Sequence, residues 1–293
     1  MNRLNSDNSV AHTCLSKLIA IIRTVRPINC GMIGFAVTIG EFIALRRLPQ
    51  LQEALLGSLT ASLLMAGTMA VNDYYDLEID RVNRPEKPLP SGTLATFQVV
   101  SLGAIACATG LVTAAMLNWA SLTIAAFALS LMLYYNTLGK RTGFLGNILV
   151  SVCIGLPFIF GGATVGRITP ALVFFSLIAF IANLGREVTK GIIDVEGDRS
   201  GTIRTVAVAY GPRIASRLSV ALYMIAVCLS FAPSLLGLVG LAYIPLVLLS
   251  DTGFVMSSIS LVRSFDRENA KRTKNRVMIW MFLGLLAFIA GSI

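Results

Sequence analysis

The sequence predicts an all-α fold, a polytopic membrane protein in which nine transmembrane helices form a bundle around a central cavity. Three observations predict it. Hydrophobic residues fill 55% of the 293 positions and charged residues only 13%, about half the charge expected of a soluble domain. The apolar residues are gathered into uninterrupted runs long enough to cross roughly 30 Å of hydrocarbon. The basic residues fall in the segments between those runs, strongly biased to alternate segments, as the positive-inside rule asks of a chain that crosses nine times.

The runs lie near 28–45, 54–72, 94–116, 119–137, 144–165, 170–186, 214–232, 235–255 and 277–293. In lipid every backbone N–H and C=O must find its partner within the protein, and the runs lack the ten-residue alternation of a membrane barrel, so each is expected to be a helix. The segment before the first run is polar and has no short apolar stretch ending in a small-residue cleavage site. No removable signal is expected there. Residues 1–293 are read as a single membrane-embedded domain.

With the N-terminus in the cytoplasm and the C-terminus outside, all of the 24 Lys and Arg residues except Arg46, Arg47 and Arg167 fall on the cytoplasmic side. The net charge of +9 then follows from topology and anionic headgroups, and no nucleic-acid partner is needed to explain it. Five cysteines, Cys14, Cys30, Cys107, Cys153 and Cys228, are scattered with no C-x-x-C pair. They read as small core residues rather than disulfides or metal ligands. The single histidine, His12, lies in the polar N-terminal segment, which leaves a histidine metal site or a Ser-His-Asp triad nothing to build on.

The acids break the pattern. Of 15 Asp and Glu residues, five lie between Asp73 and Glu86 and four between Glu187 and Asp198, so two basic cytoplasmic segments are also the acidic ones. In the first, Asn72, Asp76 and Asp80 are spaced i, i+4, i+8, each displaced only about 40° around a helix from the last. Three oxygen donors on one helical flank repel each other and invite a cation, and Mg²⁺ is the natural guest because it takes oxygen ligands and shares them with substrate phosphates. In the second, Arg186, Lys190, Asp194 and Asp198 step by four, placing phosphate donors and metal ligands along one flank if the helix persists. A solvated helix end laced with salt bridges is the competing reading of either cluster.

Between the two lies Tyr134-Tyr135-Asn136-Thr137-Leu138-Gly139-Lys140-Arg141. Lys140 and Arg141 are candidates to hold diphosphate oxygens, and the Tyr135 ring to face a developing cation; interfacial tyrosines beside positive-inside charge explain the same residues. Arg26 and Asn29, at the start of the first span, are weaker candidates of the same kind, which a capping or snorkelling role explains equally.

These segments resemble the UbiA superfamily of intramembrane aromatic and lipid prenyltransferases. The resemblance rests on N-x-x-x-D-x-x-x-D ending the second span, D-x-x-x-D ending the sixth, and the nine spans, and it covers nearly the whole chain. Within the superfamily, NDYYDLEIDRVNRPEKPLPSG, the opening RPINC and REVTKGIIDVEGD are most similar to the archaeal branch that acts on membrane lipids. The resemblance implies Mg²⁺-dependent transfer of a geranylgeranyl group from geranylgeranyl diphosphate to geranylgeranylglyceryl phosphate, with release of diphosphate. It implies Asn72, Asp76, Asp80, Asp194 and Asp198 as metal ligands, and Asp76, Asp80, Asp194, Asp198 and Lys140 as catalytic residues. Asn72, Asp73, Arg26, Asn29, Tyr135, Arg141, Lys190 and Arg186 are the implied substrate-binding residues. The expected partners are the prenyl diphosphate donor, a lipid-soluble acceptor and membrane lipid, with no obligatory protein partner.

Two departures stand out. Asn136 occupies the place, four residues before Lys140, where relatives often have Tyr. Gly191 follows Lys190 where many have Asp, leaving Glu187 as a possible substitute. An aromatic or chlorophyllide-like acceptor is the alternative within the superfamily. Outside it stand a divalent-cation transporter, whose site would more usually lie at the bilayer midplane, and a scaffold whose loops bind anionic lipid.

Overall fold

The computed structural model describes residues 15–200 and 203–293; Arg3, His12 and Cys14 lie outside them. Among the described residues there is no strand. Helix α1 covers residues 15–25 and is followed by α2 (Pro27–Leu45), α3 (Leu51–Tyr75), α4 (Leu77–Asn83), α5 (Thr96–Leu117) and α6 (Trp119–Thr137). After a 3₁₀ turn, Gly139–Arg141, come α7 (Phe144–Thr164), α8 (Pro170–Ile193), α9 (Val195–Ser200), α10 (Val206–Tyr210), α11 (Pro212–Ser230), α12 (Ala232–Leu235), α13 (Tyr243–Arg263) and α14 (Arg267–Gly291). Nine helices among the described residues are long and apolar enough to cross a membrane: α2, α3, α5, α6, α7, α8, α11 with α12, α13 and α14.

Two of the expected spans sit elsewhere. The eighth, expected at 235–255, is Tyr243–Arg263, and the ninth, expected at 277–293, begins at Arg267. Leu235 to Ala242 is apolar enough to imitate a span but carries Gly237 at φ +63°, a left-handed conformation that ends a helix. The ninth helix starts with ten mostly polar residues because Asp266 caps it, accepting from the backbone N–H groups of Glu268 and Asn269 at 2.9 Å each.

The chain forms two compact units. One is the described part of Met1–Phe35 with Leu55–Asn136; the other is Ala36–Ala54 with Thr137–Ile293. In the first unit α3 and α5 meet through glycine. A Cβ on Gly67 would lie 2.8 Å from the Gly103 carbonyl oxygen, the close backbone approach that small residues permit between membrane helices. Thr60 and Thr113 share a buried hydroxyl hydrogen bond at 2.8 Å. The loop after α4 folds back onto this unit, with Leu89 and Leu94 buried against Ala20, Ala70 and Val99. Ile28, Met32 and Phe35 remain exposed along α2, at helical spacing, as a lipid-facing stripe.

The second unit is built on α8. Phe158, Phe175, Phe288 and Tyr243 form a chain of ring contacts with centroids 4.5 to 5.0 Å apart, joining α7, α8, α13 and α14. The start of this unit's chain meets α7 backbone to backbone: a Cβ on Gly161 would stand 2.2 Å from the Val37 carbonyl oxygen. Tyr223 on α11, fully buried, shares a 2.8 Å hydrogen bond with Thr189 on α8. That contact fixes the rotation of α8, and with it the second acidic cluster.

Candidate functional site

Both acidic clusters straddle a break in a long helix, and both breaks fall on an aspartate. Asp76 separates α3 from α4 with φ −88°, ψ 0°; Asp194 separates α8 from α9 with φ −97°, ψ 7°. This is the sparsely populated bridge region between helix and strand, where active-site residues are often found. The four-residue hydrogen bonds nevertheless continue through each break. The Asp76 N–H donates to the Asn72 carbonyl (3.0 Å) and the Asp80 N–H to that of Asp76 (2.8 Å); Asp194 donates to Lys190 (3.1 Å) and Asp198 to Asp194 (2.8 Å). The register is kept, so Asn72, Asp76 and Asp80 stay on one flank, and Lys190, Asp194 and Asp198 on another.

In the first unit the Asn72 amide donates to an Asp76 carboxylate oxygen at 2.9 Å. Asp73 and Asp80 are buried and paired with cations. Arg26 reaches Asp73 at 2.9 Å, and the Lys87 ammonium lies 2.6 Å from Asp80 and 3.3 Å from the Asp73 oxygen that Arg26 also holds. Arg26 has φ +53°, a costly conformation for a side-chain-bearing residue. It occupies the junction of α1 and α2, where the strain turns the chain into the first span. Asn29 follows one turn later, its N–H on the Arg26 carbonyl at 2.9 Å. Asn136, buried, donates to the Thr68 carbonyl at 3.2 Å and so ties α6 to α3. Tyr135 is half-buried beside it.

In the second unit Glu187 is buried and holds both cations of its helix, Arg186 at 2.9 Å and Lys190 at 3.6 Å. This carboxylate fixes the two basic groups of its own helix in place, one turn before Gly191. Nothing crowds that position: a Cβ on Gly191 would come no closer than 3.7 Å to Thr205. Asp194 is exposed and Asp198 half-buried. Burial, and then the neighbouring Asp194 charge, push the Asp198 carboxyl above the usual range, while the Thr205 hydroxyl and Lys190 pull it back. The loop carrying Lys140 and Arg141 belongs to the same place. Gly143, at φ +63°, lies so close under the 204–205 backbone that a Cβ would fall 2.0 Å from the Arg204 carbonyl oxygen. Only glycine fits, and the 3₁₀ turn holding Lys140 is pinned beside the segment whose Thr205 meets Asp198.

Among the described residues no three Asp, Glu, His or Cys side chains gather into a ready-made cation site. The donors come as the pairs Asn72 with Asp76 and Asp194 with Asp198, hard oxygen ligands throughout. That is the number Mg²⁺ commonly takes from protein when phosphate oxygens and water complete its octahedron, so the donor chemistry fits that ion. Lys87 is the residue that sequence reading passed over. From the sequence it reads only as cytoplasmic charge, because the helix ends before Pro85 and only the fold-back of the following loop brings this lysine to Asp73 and Asp80.

The model of the UbiA prenyltransferase family matches residues 33–286. A digeranylgeranylglyceryl phosphate synthase from Methanopyrus kandleri is 38% identical over 275 residues, covering 93% of this chain and 98% of the relative. A solved structure concerned with digeranylgeranylglyceryl phosphate synthase in membranes superimposes with a TM-score of 0.87 at 29% identity, over 94% of this chain and 98% of the other. A UbiA homologue from Archaeoglobus fulgidus, solved bound to GPP and Mg²⁺, shares the fold with a TM-score of 0.69 at 19% identity, over 92% and 99% of the two chains.

Proposed function

The chain belongs to the UbiA prenyltransferase family, and on that premise we propose that it transfers a geranylgeranyl group from geranylgeranyl diphosphate to geranylgeranylglyceryl phosphate, releasing diphosphate, in the synthesis of an archaeal membrane lipid. The observation that carries this reading is the 38% identity to a digeranylgeranylglyceryl phosphate synthase across 98% of that relative's length. The protein is a multi-pass membrane protein. The distribution of Lys and Arg supports an orientation with the N-terminus and both acidic clusters in the cytoplasm and the C-terminus outside.

Asn72 and Asp76 in one unit, and Asp194 and Asp198 in the other, are the residues that would hold Mg²⁺, with Asp80, the further candidate ligand on the first flank, paired here with Lys87. When bound, the ion supplies Lewis-acid neutralisation of the diphosphate, which makes it a better leaving group. Lys140, Arg141, Lys190 and Arg186 hold the remaining phosphate oxygens by charge-assisted hydrogen bonds, with Glu187 fixing the last two. Asp80 and Asp73 hold the cations Lys87 and Arg26 against the first cluster, and Asn29 and Tyr135 border it. The allylic C–O bond breaks with its electron pair going to the diphosphate, and the freed carbon joins the acceptor's hydroxyl oxygen, whose proton passes to the released diphosphate. So strong an electrophile needs little activation of its nucleophile, consistent with a single histidine, His12, that lies far from either motif in sequence. Water must be kept from that carbon, a task for apolar helix walls.

The acceptor is the part of this reading that a panel decides. Purified protein supplied with labelled geranylgeranyl diphosphate and Mg²⁺ is expected to label geranylgeranylglyceryl phosphate, and to leave an aromatic acid and a chlorophyllide unlabelled. Preferential labelling of either of the latter would move the chain to another branch of the family.

A further inference from the structure

Thr205 is buried where α8, α9, α10 and the start of α7 come together in the second unit. Its hydroxyl donates to the Asp198 carboxylate. The same oxygen caps α10, accepting from the Val208 N–H at 3.4 Å, so the backbone engages a lone pair while the hydroxyl proton goes to the acid. The chain around it is held as closely. The Ile203 N–H donates to the Asp198 carbonyl at 2.9 Å, and the Ala209 N–H to the Thr205 carbonyl at 2.9 Å. From the α7 side, a Cβ on Gly143 would stand 3.2 Å from the Thr205 nitrogen. From the α8 side, a Cβ on Gly191 would stand 3.7 Å from the Thr205 Cβ and 3.8 Å from its hydroxyl oxygen. A threonine so enclosed cannot follow the carboxylate; the carboxylate is fixed by it. Capping α10 uses the oxygen of Thr205 but not its proton, so a cap alone leaves the contact with Asp198 without a purpose.

We propose that Thr205 is a positioning residue for the second metal site: its hydroxyl takes one oxygen of the Asp198 carboxylate and leaves the other to meet a divalent ion together with Asp194. The proposal rests on the Mg²⁺-dependent reading given above, but not on the identity of the acceptor. Asp194 and Asp198 are like charges one helical turn apart, and the Asp194 charge works against that of Asp198. An aspartate left to itself would rotate away from such a neighbour toward water. Thr205 closes that escape, so the ordering of the side chain is met in folding rather than charged against the binding of the ion. Partners of this kind, one step behind a metal ligand, typically set the affinity for the ion by roughly ten- to a hundredfold.

The test is a Mn²⁺ titration of the purified full chain, read by electron paramagnetic resonance, in which the binding lost in Asp198→Asn identifies the ions held at the second cluster. Thr205→Val, which keeps the shape and removes the hydroxyl, is expected to weaken that binding about tenfold or more. Thr205→Ser, which keeps the hydroxyl, is expected to restore it. Melting curves separate the two roles, since loss of the α10 cap lowers the melting temperature without touching metal affinity. Unchanged Mn²⁺ affinity in a folded Thr205→Val protein overturns the proposal. An equal loss in Thr205→Val and Thr205→Ser also overturns it, because the effect then belongs to packing. Where the valine variant does not fold, Thr205→Ala is judged against Thr205→Ser by the same comparison. The broader reading fails separately: if Asp198→Asn leaves the titration unchanged, the second cluster holds no metal, and the Mg²⁺ reading of that cluster falls with the proposal. If Asp198→Asn weakens binding and Thr205→Val does not, only the role of Thr205 falls.

Discussion

Asp251 shows at the scale of one residue why acidity alone does not mark a site. It lies within the span α13, buried, where Ser230 donates to it at 2.7 Å, and the Tyr243 hydroxyl donates to the Ser230 carbonyl at 2.7 Å. Its work is to join α11 to α13. Asp251→Ala is expected to lower stability by about 1–2 kcal/mol, the usual cost of a lost buried hydrogen bond, while the folded fraction keeps its turnover within about twofold; a melting curve and an assay normalised to folded protein check both. Asn136 makes a related point. Its position invites comparison with a tyrosine, yet its buried bond to the Thr68 carbonyl gives it a structural task that no motif announces. Lys87 was equally illegible, because its ion pairs depend on a proline-rich loop folding back.

At the scale of elements, hydropathy and turn chemistry settle most of what is observed, and their conflicts explain the rest. Seven spans fall close to their expected places because apolar composition and helix coincide there. The eighth and ninth shift because Leu235 to Ala242 is apolar in composition but a turn in conformation, and because a capped helix outruns its hydrophobic stretch. The breaks at Asp76 and Asp194 could not be read from spacing, since acids four apart suit an unbroken helix equally well. The start of α14 yields a prediction of its own. The Ser264 hydroxyl first, and then the backbone N–H groups of Asn269 and Glu268, hold the Asp266 carboxyl below its ordinary range. A carboxyl lowered on folding stabilises the protein above its unfolded value, near 3.9, and loses that contribution as pH falls through the folded value. Asp266→Ala should therefore melt below wild type at neutral pH, and the gap should close as pH is taken down through the range beneath about 4. A gap that stays constant to pH 3 would count against the cap.

For the whole molecule, the fold class was legible because a bilayer leaves so few solutions: length of run, absence of alternation and placement of basic residues together demand helices, and nine of them are found among the described residues. The chemistry was legible as two sets of oxygen donors spaced by four. Their shared design, an aspartate at a helix break with the register kept on either side, was not. The most direct measurement of the account is geranylgeranyl transfer by purified protein, in Mg²⁺ and in EDTA, for wild type and for Asp76→Ala and Asp198→Ala. The account predicts turnover for wild type in Mg²⁺, loss of it in EDTA, and a fall of at least about a hundredfold in either variant, with melting curves unchanged. Undiminished turnover in EDTA, or by the protein carrying both alanines, would contradict it.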